Sequence, residues 1–317
     1  MARSYAIARI SRIYTVLVSA LIAGLSLDAI GLYWFNLSRL YTESQQYQIG
    51  SLGYVISSLM DAPTFFGNLL LLQGVFTGFL GSNGPLWSLS YEWWYYCIFA
   101  LTGASMTSRW NFRFIYLLAA FALVLWLPAK LVIWGLIWLL GVAAHAWIKS
   151  GWRCPNPVFG ISIFAIALVI SRTSHNVDQV DSLLELFVRD LGLGLAYVVA
   201  LAGASRISMN IPFQKLHYWL ANFSYTTYVF HFPEIIFIIA FVYQVFGFKF
   251  RLQPDGFGLI YLLGMTFAIY CYCYFWFLMA ERHTNDIRSY LHSIISRRMV
   301  SEINMSIENN QQEGNRI

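Results

Sequence analysis

An all-α, polytopic membrane helix bundle of about eight transmembrane helices is the fold class this sequence predicts, on three observations. Hydrophobic residues make up 58% of the 317 and charged residues only 11%, against roughly a quarter charged in soluble domains, and the mean hydropathy is +0.58. The apolar residues come in runs near the length of about 20 that a helix needs to cross a bilayer. The basic residues fall in short clusters between those runs, so the net charge of +5 serves orientation in a membrane and gives no support to a nucleic-acid partner. The expected organisation is one membrane domain over 1–283, an amphipathic surface helix over 284–300 and a disordered tail over 301–317.

Arg3, Arg9 and Arg12 precede the apolar run Ile13 to Leu27, and apolar residues continue to Phe35. A basic head and a short hydrophobic body also suit a signal peptide, but the small-residue cleavage signature is poor, and an uncleaved span is expected. Phe65 to Leu80 is interrupted by Gly67, Gly74 and Gly78 and is short for a span, which predicts a re-entrant or surface helix. Further spans are expected near 85–105, 112–128, 130–149, 157–171, 187–205, 217–243 and 257–280. With both termini on the cytoplasmic side, that side collects most of the arginines. The other receives Lys130, Arg172, Lys249, Arg251 and the acidic loop of Asp178, Asp181 and Glu185, a bias that fits an even number of crossings. Beyond the last span, Ile287, Leu291, Ile294, Ile295 and Met299 form an apolar face opposite Arg288, Arg297 and Arg298, as in a helix lying on a membrane surface. From Ser301 the composition is that of disorder. The four cysteines have neither zinc spacing nor a disulfide framework, and no metal site is expected.

Two stretches carry chemistry. Pro85 to Tyr96, PLWSLSYEWWYY, places Ser88 and Glu92 four residues apart on one helix face with Tyr95 and Tyr96 a turn beyond. A charge at the bilayer interior costs about 2.5–3.5 kcal/mol on insertion scales, which makes Glu92 a candidate for a site. The alternative is an interfacial belt of Trp87, Trp93 and Trp94 with Glu92 in water. In Ala221 to Glu234, ANFSYTTYVFHFPE, the residues Ser224, Thr227, Tyr228 and His231 recur on one face, and Glu234 extends it if the helix passes Pro233. Proline removes a backbone donor and is expected to kink the helix just beyond His231. Arg9 and Arg12 also share a face, serving either positive-inside anchoring or phosphate binding.

PLWSLSYEWWYY, NFSYTTYVFHFP, FWFLMAER at the end of the last span and ARISRIY at Ala8 to Tyr14 resemble, in order and spacing, the blocks of the integral membrane acyltransferase 3 family. The likeness covers residues 1 to about 300. It implies a multi-pass protein of the bacterial inner membrane that transfers an acetyl or other acyl group from acetyl-coenzyme A to a hydroxyl of a surface or secreted glycan or lipid-linked sugar. With the family's first two spans present, it further implies Arg9 and Arg12 on the coenzyme A phosphates, His231 or the histidine of those spans as general base, and Glu92 with Ser88 orienting that base or the acceptor. Tyr96, Tyr225 and Tyr228 would donate to an oxyanion or stack on the sugar, with Trp87, Ser224 and Glu281 as further binding residues. Members usually carry two additional spans ahead of the RxxR element, bearing an arginine and a histidine eleven positions later. Here the RxxR element lies at Arg9 to Arg12, and the equally spaced Arg206 and His217 fall in a downstream loop. Two expectations follow: an enzyme whose start lies upstream of Met1, or a truncated, non-catalytic scaffold. A glycan flippase is a third class, disfavoured because no internal symmetry is visible.

Overall fold

The computed structural model describes residues 2–151, 153–173, 182–207, 212–248 and 255–294, and among these it is helical with no strand. In chain order the α-helices are α1 (Ala2–Trp34), α2 (Ala62–Leu69), α3 (Trp87–Thr107), α4 (Trp110–Trp126), α5 (Ala129–Lys149), α6 (Pro157–Thr173), α7 (Leu183–Ala204), α8 (Gln214–Asn222), α9 (Ser224–Phe246) and α10 (Gly256–Met279). A last helical stretch, α11, covers 284–294 after a tight turn at Glu281–His283. Ile295, Met299, Arg297, Arg298, the tail and the loop charges Asp178, Asp181, Lys249 and Arg251 lie outside the described residues.

Every expected span has a helical counterpart, and among the described residues five stretches are long and apolar enough to cross a membrane, Ser4–Trp34, Ala129–Lys149, Leu183–Ala204, Ser224–Phe246 and Gly256–Ile294. Helices α4 and α6 have only 17 residues each, and α3 dilutes its apolar content with Ser88, Ser90 and Glu92 in its first two turns. The span expected over 217–243 is two helices. Phe223, fully buried, breaks the run between α8 and α9 and is held by the rings of Trp219, Tyr274 and Tyr270 at 5.0, 5.6 and 6.0 Å. Beyond His231, where a kink is expected, α9 continues through Pro233 to Phe246. The carbonyl that Pro233 leaves without its usual donor belongs to Val229, and the Asn83 side-chain amide reaches that oxygen at 3.5 Å.

The chain forms two compact units, 1–113 with 215–317, and 114–214. In the first, α1 is the central rod, packed on α2, α3 and α9, and α9 in turn packs on α10. Helix α1 runs parallel to α9: the Tyr225 hydroxyl meets the Ile13 carbonyl at 3.5 Å, Gly24 meets Pro233, and the Trp34 carbonyl accepts from the Gln244 side chain at 2.5 Å. It runs antiparallel to α3, with Tyr14 on Trp93 and Tyr5 on Phe99, both pairs at 5.8 Å. Ile13, Val16, Leu17, Ala20 and Leu21 carry α1 into a core shared with Leu86, Leu89, Phe223 and Phe230.

The stretch between α1 and α3 is polar in sequence yet folds with a core of its own, in which Leu40, Tyr41, Leu52 and Ile56 pack on Ile236 and Ala240 of α9. The expected re-entrant or surface helix over 65–80 is the short α2 followed by a folded loop. Asp61 caps α2 by accepting the Thr64 N–H at 2.8 Å, and its bonds from Thr64 hold the carboxyl below its ordinary range. Asn68 ties the loop back, donating to the Thr64 and Gly78 carbonyls at 2.8 and 2.9 Å and accepting the Leu80 N–H at 3.1 Å.

In the second unit α7 packs on both α5 and α6. Small residues allow the approach: a Cβ on Gly160 would lie 2.9 Å from the Val199 carbonyl oxygen, and one on Gly203 3.2 Å from the Pro157 Cα. Trp134 donates to Asp190 at 3.0 Å, so the carboxylate on α7 is partnered from α5. Ser182 and Glu185 close a reciprocal capping box at the start of α7. Gly160→Ala should therefore lower the unfolding midpoint, at a cost of about 1–3 kcal/mol for overpacking against backbone. Gly103→Ala, where nothing lies within 4 Å of the new Cβ, should be neutral or raise stability by up to about 1 kcal/mol. Thermal unfolding of the two variants in detergent checks the contrast.

Candidate functional site

Helix α3 presents two adjacent polar strips. Along one, Trp87 stacks edge-on against Tyr91 at 5.4 Å, and Tyr91 against Tyr95 at 6.4 Å; Trp87 is 49% exposed and stands apart from the polar contacts described below. Along the other, Ser88, Glu92 and Tyr96 follow one another at successive turns. The Ser88 hydroxyl is 2.6 Å from the Tyr228 hydroxyl, and Tyr228 donates to the Pro85 carbonyl at 2.5 Å. With that phenol proton committed to a carbonyl, Ser88 is the donor in the first bond. Tyr96 donates to Oε1 of Glu92.

His231 sits on α9 one turn from Tyr228, the two rings 6.3 Å apart. Its Nδ1 lies 3.0 Å from the Thr227 carbonyl and 2.8 Å from the Tyr228 carbonyl. Carbonyls only accept, so Nδ1 carries a proton, and in the neutral tautomer the lone pair is on Nε2. The helix backbone holds Nδ1; among the described residues Glu92 bonds to Tyr96 and Ser88 to Tyr228. Helix α9 also carries a carboxylate, Glu234, buried at 6% exposure with Oε2 unpartnered.

The two arginines of the RxxR element part company. Arg9 lies over the rings of Tyr96 and Tyr5 at 4.4 and 5.1 Å, a cation–π arrangement that joins it through Tyr96 to Glu92. Arg12 is exposed, lies 6.0 Å from the Tyr225 ring and borders a cleft of about 430 Å³ together with Asn222, Glu281, Arg282, Asn285 and Arg288. Three arginines and one glutamate make this cleft net positive, and phosphate is the chemistry that such a set of donors suits. Arg9 is not part of its lining.

Several expected roles move accordingly. Tyr96 and Tyr228 have their hydroxyl protons committed to Glu92 and the Pro85 carbonyl, and Tyr225 points its hydroxyl at α1, so the three act on position rather than as free oxyanion donors. Ser224 donates to the Ala221 carbonyl at 2.9 Å and only closes the turn before α9. Glu281 accepts the Thr226 N–H at 3.1 Å and the Thr226 hydroxyl at 2.5 Å. Phe223 offers α9 no side-chain cap, and the Glu281 carboxylate supplies it from the end of α10, where it also complements the helix dipole. Sequence spacing could not show that pairing, nor the parts played by Tyr5, Asn83 and Arg288. Among the described residues no three His, Cys, Asp or Glu side chains gather as metal ligands, and none of the four cysteines is in a disulfide.

Glu281→Ala should cost about 1–2 kcal/mol of stability by leaving the first turn of α9 uncapped. Glu281→Gln, which keeps an acceptor oxygen, should cost less. The order of the two unfolding midpoints is the measurement. Comparison with protein-family models, curated proteins and solved structures gave no match, so a functional reading rests on these residues and their geometry.

Proposed function

We propose that the chain is a membrane O-acyltransferase that moves an acetyl group from acetyl-coenzyme A to a hydroxyl of a surface or secreted glycan or lipid-linked sugar in the bacterial inner membrane. The observation that carries the reading is His231, with Nδ1 held by two backbone carbonyls, one turn along α9 from the Tyr228 that bonds to Ser88; in the neutral ring Nε2 is then the base. The resemblance of four sequence blocks to acyltransferase 3 proteins supplies the substrate classes.

In this reading the phosphates of coenzyme A bind the cleft of Arg12, Arg282 and Arg288 by charge-assisted hydrogen bonds. The Nε2 of His231 takes the proton of the acceptor hydroxyl as its oxygen bonds to the thioester carbonyl carbon, the C–S bond breaks, and the same proton passes to the departing thiolate. Glu92, held through Oε1 by Tyr96, orients the acceptor with its other oxygen. Arg9, over the Tyr96 ring, fixes that phenol in place. A multi-pass topology with about eight crossings and cytoplasmic termini puts the arginine cleft on the cytoplasmic side, where acetyl-coenzyme A is found, and lets the acceptor arrive from the other side.

Labelled acetyl from acetyl-coenzyme A should appear on glycan in membranes containing this chain. It should vanish with His231→Ala and with Glu92→Gln, while both variants insert normally. Retained acetylation in Glu92→Gln would remove Glu92 from the chemistry, and no label from a correctly inserted chain would favour the non-catalytic scaffold. Arg12→Gln should raise the KM for acetyl-coenzyme A about tenfold with little change in kcat, the loss of one charge-assisted contact worth about 1.4 kcal/mol.

A further inference from the structure

The stretch after α1 closes over a carboxylate that the transfer chemistry does not use. Asp28, on α1, is fully buried. Its Oδ2 accepts the Ser82 N–H at 2.7 Å, while Oδ1 makes no hydrogen bond. Gly81 holds φ at +55° and has no room for a side chain, because a Cβ there would lie 2.1 Å from Oδ2. The wall is drawn tightly around this oxygen.

The hydroxyls around it are in the same condition. Tyr41 and Ser82 are fully buried and Asn83 is 2% exposed. The Tyr41 hydroxyl presses on α1 at Gly31, one turn beyond Asp28, where a Cβ would come within 2.1 Å of it. The Tyr54 hydroxyl lies against Gly84, 3.1 Å from where a Cβ would stand. Burial first, and then the nearby Asp28 charge, push both phenols above their ordinary range, so they remain neutral hydroxyls. The hydroxyls of Tyr41 and Tyr54, Oδ1 of Asp28 and Oδ1 of Asn83 lack a hydrogen-bond partner within the protein, and the Ser82 hydroxyl lies near the Asp28 carboxylate without a well-formed bond to it.

Buried polar atoms are as a rule partnered and buried charges paired. No Arg, Lys or His forms an ion pair with Asp28 among the described residues. A proton on Oδ1 would have the neighbouring hydroxyl and amide oxygens as acceptors, so it is the competing occupant that a salt titration separates from a cation. The donors on offer are all oxygen, which selects a hard cation. They include one carboxylate, which neutralises one positive charge and would leave a divalent ion uncompensated.

The geometry points to an alkali-metal cation site built from Asp28, Tyr41, Tyr54 and Ser82, with Asn83 at its edge. The bound cation pins the stretch between α1 and α3 onto α1. Asn83 and Pro85 follow directly, and they contact Val229 and Tyr228 of α9. The site stands independently of the acyl-transfer reading.

The test is thermal unfolding of the full chain in detergent, titrated with NaCl or KCl against choline chloride at constant ionic strength. One or both alkali salts should raise the Tm, logarithmically once the ion exceeds its dissociation constant. Asp28→Asn keeps an acceptor for the Ser82 N–H and should abolish that dependence. Tyr54→Phe keeps the buried ring and should move the dependence to higher salt, which preserves the test should Asp28→Asn fail to fold. Equal Tm in sodium, potassium and choline would overturn the proposal, as would a dependence unchanged in either variant. A Tm that follows pH alone, identically in all three salts, would mean a proton and ordered water only, and would also overturn it.

Discussion

Everything in the first unit depends on how closely α1 approaches α9. In hydrocarbon the flanking lipid is as apolar as leucine, so two helices associate through van der Waals contact and polar pairing. Gly24 makes that contact possible: a Cβ there would lie 3.2 Å from the Pro233 ring. The parallel register it sets brings Arg12 beside Tyr225 near one end and Trp34 to Gln244 at the other. The span from Arg12 to Gly24 covers about 18 Å of helix, and it separates the basic cleft from the polar layer around Asn83 and Asp28.

Between those levels the polar groups obey one economy. A hydroxyl or carboxylate inside an apolar bundle has few places to send its hydrogen bond. Ser88 spends its proton on Tyr228, Tyr228 on a carbonyl, Tyr96 on Glu92 and Glu281 its lone pairs on Thr226. Among the described residues, those left with buried atoms lacking a partner include Glu234 and the cluster around Asp28.

The sequence discloses most of the helices, because each is a long apolar run bounded by glycine, proline or charge. It also discloses the Ser88 and Glu92 face and the Thr227, Tyr228 and His231 face, since helical periodicity is a local property. It could not show that Arg9 and Arg12, one turn apart, belong to different neighbourhoods, because that depends on α3 and α11 arriving from far along the chain. Nor could it reveal that Glu281 caps a helix more than fifty residues earlier. The polar stretch over 36–63 reads as mixed and polar because its core residues are scattered singly, without a period. Only their packing on Ile236 and Ala240 makes them a core. Crossing number is the least legible feature, since α3, α4 and α6 each fall near the boundary of length or hydropathy.

Pro233 leaves α9 with a seam at the turn that carries His231. A helix with such a seam ordinarily has a soft joint there, able to flex on the microsecond to millisecond scale of helix motions. Here the joint is latched from outside, because the amide of Asn83, 146 residues earlier in the chain, occupies the freed carbonyl. The histidine-bearing turn is therefore tied, through the Val229 carbonyl, to a loop from a distant part of the chain.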